Sequence, residues 1–429
     1  MAIIKTLYYL LKLKLHQRFN LEKLEKIQNE KLKNLIHYSY NNVPYYRKLF
    51  NDNNISPRDI RTKNDLKKIP ITKKEDIQEN YESIISKKKL RKKHEIIFTS
   101  GSTGKPLKIL TTKKEIDYNN ALILYVALEQ GRSLLDKTIR FHIPEPNTKK
   151  SLLSKFGIFK RYDLDISDTL EDVVREYIKI SPKHIASSPS FLIEFITYLQ
   201  ENNIKIKKPR TISLHGEVIT LIERRKLTKF FGNKIFNIYG AAEVSRIAFE
   251  CEKHNGLHII TDGCIVEFLD SEGNEIESNK EGHIVITNLY NYAMPLIRYD
   301  LGDLGIPISK RCYCGRTWPL LKQLTGRKDD IFILPNNRKI SPNRIPSWHL
   351  RSLNGIKQFE IIQEKKDKIL INIIKSQKFN NKSKIKLEKA KKALMSFFGP
   401  ALEIKINITS GVPKKTDYKK RSIISKVKK

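Results

Sequence analysis

Between residues 138 and 241, short runs of β-branched and aromatic residues alternate with longer amphipathic ones: "TIRFHI", "TLEDVVREYIKI", "HIAS", "SFLIEFITYLQENN", "TISLHG", "LIERRKLTKFFG", "KIFNIYG". The short runs suit strands, and the long ones repeat apolar residues at helical spacing. A helix between successive strands is the connection a parallel pair requires, because a hairpin turn can join only antiparallel neighbours. Read over residues 96–325, this rhythm predicts an α/β fold of parallel units, with ligands at the loops where strands end.

At 429 residues the chain exceeds what one hydrophobic core usually organises, so more than one domain is expected. Residues 1–95 read as mostly helical, as in "LEKLEKIQNEKLKNLIHYSY", with a break at Pro44. Beyond residue 325 the texture changes. "FEIIQEKKDKILINIIK" reads as a hairpin, "NKSKIKLEKAKKALMSFFG" as an amphipathic helix and "LEIKINIT" as a strand, together a small α+β domain. The expected division is a large domain with a helical part over 1–95 and a core over 96–326, followed by a small domain over 327–429.

The net charge of +36, from 82 Lys and Arg against 46 Asp and Glu, would attract acidic partners or nucleotides. The lysines are spread along the whole chain with abundant Ile and Asn, and no RRM or zinc-finger pattern is visible, so a specific nucleic-acid partner is not expected. Four cysteines do not make a disulfide scaffold and no signal peptide is read, which points to a cytoplasmic protein. The opening "MAIIKTLYYLLKLKL" is too short and too charged to span a bilayer. It reads as a helix packed on the protein body or as a basic amphipathic helix on a membrane surface.

One loop, "TSGSTGKP" at 99–106, places hydroxyls and glycines before Lys105 and follows an apolar run. It fails the nucleotide-binding P-loop pattern. Only Ser102 and Thr103 separate Gly101 from Gly104, and Pro106 stands where a Ser or Thr would reach magnesium. It keeps the chemistry of an oxyanion cradle: exposed N–H groups, hydroxyls and a cation. An ordinary Ser/Gly turn is the competing reading.

Further stretches follow it in order: "LHGE" (214–217), "IYGAAEV" (238–244), "IRYDLGDLG" (297–305) and "TGRKDD" (325–330). In this order they resemble the adenylate-forming superfamily of acyl-CoA synthetases, and within it the phenylacetate-CoA ligase and capsular-polysaccharide-biosynthesis ligase branch. "YNNVPYYRKLF", "IPITKKEDI" and "IASSPSFL" extend the likeness over nearly the whole chain. The resemblance implies a large adenylation domain, with an ATP- and substrate-binding core, and a small mobile C-terminal domain. It also implies ATP-dependent formation of an acyl-adenylate from a small carboxylic acid, with acyl transfer to CoA. A carrier protein, amino sugar or other biosynthetic acceptor is the alternative, and a non-catalytic homologue a third reading.

Carried onto this sequence, the resemblance assigns Thr99, Ser100, Gly101, Ser102, Thr103, Gly104 and Lys105 to the β- and γ-phosphates of ATP, and Glu243 to Mg²⁺. Gly216, Glu217, Tyr239, Gly240, Ala241 and Ala242 would border the adenylate, with Tyr239 stacked on adenine, although the family usually has Thr where Ala242 stands. Asp303 would accept hydrogen bonds from the ribose hydroxyls, Arg327 would bond ribose or phosphate, and Asp329 would be the hinge of the small domain. In "VPKKTDYKKRSIISK", Lys419 would reach the α-phosphate and the attacking carboxylate. Tyr418 occupies the family's glycine, and Lys420 stays open as the alternative. Cys251, Cys312 and Cys314 with one histidine form a chemically reasonable zinc set, as in some ligases of this branch. His258 in "GLHI" is the preferred fourth ligand and His254 the rival, while Cys264 is expected in the core.

Overall fold

The structure, a computed structural model, describes residues 2–88, 94–99, 106–143, 160–351, 353, 355–376, 379–399, 402–410 and 422–427. It divides into two compact units, Met1–Ser133 with Phe236–Leu324, and Leu134–Ile235 with Thr325–Lys429. The expected boundary between residues 326 and 327 falls within the strand Leu320–Arg327.

In the first unit, helices Ala2–His16, Leu21–Asn42 and Pro44–Asp52 open the chain. Asn20 starts the second by accepting the Lys23 N–H at 2.9 Å. Pro44, which cannot donate to the preceding turn, becomes the first residue of the third. Leu32, Leu35, Ile36, Tyr46 and Phe50 from these helices share a core with Ile284, Ile286, Met294 and Leu296.

The strands of this unit follow the order Cys264–Leu269, Gly282–Asn288, Tyr299–Ile308, Leu320–Arg327, Leu257–Ile259, Ser245–Glu250, Ile235–Ala241. The pairs Cys264–Leu269/Gly282–Asn288, Ser245–Glu250/Leu257–Ile259 and Ile235–Ala241/Ser245–Glu250 are antiparallel. So is the separate ribbon of Glu95–Phe98 with Lys108–Thr111. The parallel pattern expected over 96–325 is therefore confined to part of that range. The connections at 242–244 and 251–256 are a few residues long, too short for the crossover that a parallel partner requires.

A buried aspartate ties this unit together. Asp262 lies in the turn before the Cys264–Leu269 strand, and its side chain is 1% exposed. His16 Nδ1 lies 2.6 Å from Oδ1 and the Lys31 ammonium donates to the same oxygen at 2.8 Å. The hydroxyls of Tyr118 and Tyr290 both donate to Oδ2 at 3.0 Å. Their rings stack with centroids 3.5 Å apart. Burial alone would raise the Asp262 pKa, but the Lys31 cation and the His16 hydrogen bond outweigh it and hold the carboxyl well below its usual range.

Three quoted stretches also meet here. The Tyr46 hydroxyl donates to the Pro295 carbonyl at 3.0 Å and accepts the Ile297 N–H at 2.9 Å. Thr72 pairs with Tyr299, and its N–H donates to the Arg298 carbonyl at 2.8 Å. The Arg298 guanidinium pairs with buried Glu267 at 3.0 Å and donates to the Ile69 carbonyl at 2.8 Å.

In the second unit, strands Thr211–Leu214, His184–Ser187, Thr138–His142 and Arg161–Asp165 are neighbours in that order, and all pair in parallel. Helices Leu170–Ile180, Pro189–Glu201 and Leu221–Phe231 supply Val173, Phe195 and Leu227 to the core around Ile139, Ile185 and Ile212. The C-terminal residues form the sheet Glu403–Thr409, Lys368–Lys375, Ile356–Lys365, Ile423–Ser425. Its central pair is an antiparallel hairpin and both outer pairs are parallel. The Asn381–Phe398 helix packs Leu387, Ala390 and Leu394 on that sheet, in a core with Ile361, Ile371 and Ile373.

Replacing Asp262 with Asn would strand the Lys31 ammonium in a buried site. Asp262→Asn is expected to lower unfolding free energy by about 3–5 kcal/mol at neutral pH, measured by urea denaturation. Because the folded carboxyl is depressed, its contribution is present above pH ~4 and is lost as the wild type is acidified further.

Candidate active site

The "IYGAAEV" stretch forms the end of the Ile235–Ala241 strand and the turn at 242–244 before Ser245–Glu250. The hairpin is tight at Gly240, where an added Cβ would lie 2.1 Å from the Ser245 carbonyl oxygen. Any side chain there would push the two strands apart, so glycine is required. The turn carries Ala242 and Glu243. No helix begins at Glu243, so it is not a helix cap.

Glu243 is held from two sides. Its backbone carbonyl accepts the Asn288 side-chain amide at 2.9 Å, and its Oε1 lies 3.5 Å from the Tyr299 hydroxyl. Further back along the hairpin, the buried Tyr239 donates its hydroxyl to Asp303 Oδ2 at 2.9 Å. Asp303 lies on the Tyr299–Ile308 strand just after Gly302, whose φ of +70° suits glycine; Gly302 N donates to Asp300 Oδ1 at 2.8 Å. Tyr239, Glu243, Tyr299 and Asp303 are thus brought to one junction of hairpin and strand. A carboxylate has room for further donors beside the tyrosine bond, so Asp303 keeps the capacity to accept hydroxyls. The 2.9 Å bond shows Tyr239 orienting Asp303.

Thr99 begins the 99–106 loop. Its N–H donates to the Leu107 carbonyl at 2.9 Å, and its hydroxyl accepts the Leu107 N–H at 2.8 Å. This closes the base of the loop on the Glu95–Phe98 and Lys108–Thr111 ribbon. Ser100, Gly101, Ser102, Thr103, Gly104 and Lys105 lie outside the described residues, as do Tyr418, Lys419 and Lys420.

In the second unit, Glu217 accepts both the N–H of Ser190, at 3.1 Å, and its hydroxyl, at 2.8 Å. Ser190 lies in the first turn of the Pro189–Glu201 helix, so the carboxylate is set against the positive end of the helix dipole. This couples "LHGE" to "SSPSF". Gly216 has φ +85° with open space where a Cβ would stand, so backbone conformation is the constraint there. Arg327 ends the Leu320–Arg327 strand, and Asp329 is exposed on the 3₁₀ turn Lys328–Asp330 that follows.

The cysteines and one histidine converge in the first unit. One donor atom each from Cys251, His258, Cys312 and Cys314 lies within 4.8 Å of every other. Cys251 and Cys312 sulfurs are 3.6 Å apart, and Cys314 Sγ is 3.3 Å from His258 Nε2. Ligands at zinc bond lengths of about 2.0–2.3 Å in a tetrahedron stand about 3.3–3.8 Å from one another, the separation of the Cys251–Cys312 and Cys314–His258 pairs, so the set suits such an ion. Burial and the nearby Arg316 cation lower the His258 pKa to about 4, leaving the neutral imidazole that a metal requires. Against the effect of burial, hydrogen bonds from Arg316 draw the Cys314 thiol down, whereas burial pushes Cys251 and Cys312 up. His254 is directed elsewhere, at 3.0 Å from Glu250 and stacked on Phe236. Cys264 is fully buried in the core, its thiol pushed up to about 12.

Two residues of the first unit, Asn288 and Glu115, lay outside the stretches singled out in the sequence. For Asn288 the cue was local, since "NLYN" is turn-like and its Oδ1 accepts the Tyr290 and Asn291 N–H groups. Glu115, in the first turn of the Lys113–Glu129 helix, is buried beside Asn288. Its Oε2 has no hydrogen-bond partner among the described residues, and burial raises its pKa to about 8.

At neutral pH this carboxyl therefore keeps a proton that the unfolded chain releases above its ordinary value of 4.5. The stability linked to Glu115 is present below that value and falls as pH rises toward about 8. Glu115→Gln, which removes the titration, is expected to flatten the pH dependence and to be the more stable protein by a few kcal/mol above pH ~8. Urea unfolding across that pH range measures it.

The CapK C-terminal domain family matches residues 332–426. The chain is 27% identical to phenylacetate-coenzyme A ligase of Thermus thermophilus, over 80% of this chain and 78% of that one. It is 24% identical to Protein CapK of Staphylococcus aureus, over 94% of this chain and 90% of the relative. A crystal structure of 2-hydroxyisobutyryl-CoA ligase in the postadenylation state shares the fold, with a TM-score of 0.80 at 18% identity, over 96% of this chain and 91% of that one. Over most of its length the chain is thus similar to phenylacetate-CoA ligases and to CapK, and it shares the fold of a structurally characterised CoA ligase.

Proposed function

We propose that the chain is an AMP-forming acid–CoA ligase. The observation that carries the reading is the junction in which Tyr239 holds Asp303 while Asn288 and Tyr299 hold Glu243. Two carboxylates suited to a ribose and to a metal–phosphate complex are thereby set in fixed positions before substrate arrives. In the first half-reaction a carboxylate oxygen of the acid attacks the α-phosphorus of ATP in line. The bond to the β-phosphate oxygen breaks and pyrophosphate leaves. In the second, the thiol of CoA attacks the acyl carbon, loses its proton and displaces AMP.

Within this reading Thr99 and residues 100–105, ending in Lys105, bind the phosphates that leave as pyrophosphate. Asp303 accepts the ribose hydroxyls, Gly216, Glu217 and residues 239–242 border the adenylate, and Arg327 bonds ribose or phosphate. Glu243 would hold Mg²⁺, which when bound neutralises charge on the phosphates. Lys419 stabilises the charge that develops at the α-phosphate, and the small domain, residues 327–429, turns about Asp329 between the half-reactions. Free cysteines fit a reducing, cytoplasmic compartment. Among the described residues no helix is long and apolar enough to cross a membrane.

A second reading keeps the adenylation and changes the acceptor to a carrier protein, an amino sugar or another biosynthetic nucleophile. The longer match to CapK and the CapK-type C-terminal residues favour it. An acidic carrier would suit the +36 charge.

Carboxylate-dependent exchange of labelled pyrophosphate into ATP tests the shared half-reaction. We expect exchange with a panel of aryl and small aliphatic acids, reduced at least about 100-fold in kcat by Glu243→Gln. Asp303→Ala should raise the KM for ATP about tenfold or more. No exchange with any acid, or unchanged exchange in Glu243→Gln, would sink the enzyme reading. Mass spectrometry of the products formed with CoA or with a carrier protein decides the acceptor.

We also propose that Cys251, His258, Cys312 and Cys314 hold a zinc ion whose closed four-ligand shell is structural. Metal analysis of protein never exposed to chelator should find about one zinc per chain. Cys312→Ser should lose the metal and melt at lower temperature, while His254→Ala keeps it.

A further inference from the structure

The Ala2–His16 helix is apolar on two opposite faces. On one, Tyr9 and Leu13 are buried with Tyr118, Leu122 and Tyr125, and His16 is anchored to Asp262. On the other, Ile3, Ile4, Leu7, Tyr8, Leu11 and Leu15 are exposed by 49%, 71%, 48%, 52%, 65% and 61%. At 100° per residue these six lie within an arc of about 140°, on the far side from Leu13, with Lys14 falling inside it near the Ile3 edge. Isolated apolar residues are ordinary on a protein surface, whereas a stripe running the length of a helix marks a contact.

Charge identifies what covers it. The helix contains no Asp or Glu, and at helical spacing Lys5 and Lys12 fall along one edge of the stripe. The Lys12 ammonium lies 4.7 Å above the Tyr8 ring. Lys14 is held apart by Glu129 at 2.8 Å. A second copy of the chain placed face to face would bring these cations together on a molecule already carrying +36. A bilayer with anionic headgroups accepts both the apolar stripe and its cationic edge. At about 1.5 Å per residue the helix is roughly 22 Å long, and it is fixed along one side to the body, so it can lie in the interface but cannot cross it.

We propose that the exposed face of the Ala2–His16 helix docks the protein on an anionic membrane surface, with the apolar stripe at the headgroup–acyl boundary and the lysines among the headgroups. This is independent of the ligase reading and stands or falls separately.

The test is sedimentation of the full chain with vesicles of phosphatidylcholine containing about one-third phosphatidylglycerol, at near-physiological salt. The wild type is expected to sediment with them and to bind pure phosphatidylcholine vesicles at least about tenfold more weakly. The double variant Leu7→Asn/Leu11→Asn leaves net charge unchanged and alters only exposed side chains. With its melting temperature preserved, it should bind the anionic vesicles at least about tenfold more weakly, because each leucine transferred from water is worth about that factor. In Tyr8→Trp, tryptophan emission should shift to the blue on adding anionic vesicles. Equal binding by wild type and double variant would show simple attraction to a basic surface and overturn the proposal. So would a concentration-dependent dimer that lacks vesicle binding and is abolished by the double variant.

Discussion

The first unit is organised around a buried anion. Asp262 is closed off from water, and its two oxygens are claimed by His16, Lys31, Tyr118 and Tyr290. A carboxylate in such a place is tolerable only when its charge is balanced and its lone pairs are used. That requirement brings together four segments separated by up to 274 positions, from His16 to Tyr290. The first two helices, the Lys113–Glu129 helix and the loop after Gly282–Asn288 each supply one partner, so removing any of them leaves a buried charge short of its balance. The helix that carries His16 is thereby fixed on one side, and its opposite face is left to water.

Close by in the same unit, the strands converge on a second set of polar contacts. The Tyr46, Thr72 and Arg298 bonds link the helical N-terminal residues to "IRYD", and the next residues of that strand hold Asp303 beside Tyr239. Stretches to which no catalytic role is assigned, such as "YNNVPYYRKLF" and "IPITKKEDI", therefore support the strand on which Asp303 is mounted. Glu217 is supported in a comparable way within the second unit, where Ser190 donates to both of its oxygens and sets them at a helix N-terminus.

Much of this was legible in the linear chain. The parallel strands and their helices over 138–214, the hairpin, helix and strand after residue 355, and the helical start all follow from apolar periodicity. Which residues of each segment face the core follows from that pattern, whichever partner strand they meet. The range of parallel pairing was read too widely, because the strands from Ile235 onward look the same whether a crossover or a short turn follows them. Strand direction there is set by turn length and by close approaches such as Gly240 against Ser245. Periodicity carries neither.

By itself, the sequence determined which residue types were available and in what order: the loop with Lys105, Glu243 in its hairpin, Asp303 between glycines, and two clusters of thiols and histidines. Only the tertiary structure decided which of them meet. It turned His258 toward Cys251, Cys312 and Cys314 and set His254 on Glu250, joined Tyr239 to Asp303, and buried Glu115 beside Asn288. The physical reason is that ligation, hydrogen bonding and pKa depend on distances of a few ångströms and on the exclusion of water. Both are properties of chain segments packed from far apart, which no local window of sequence contains.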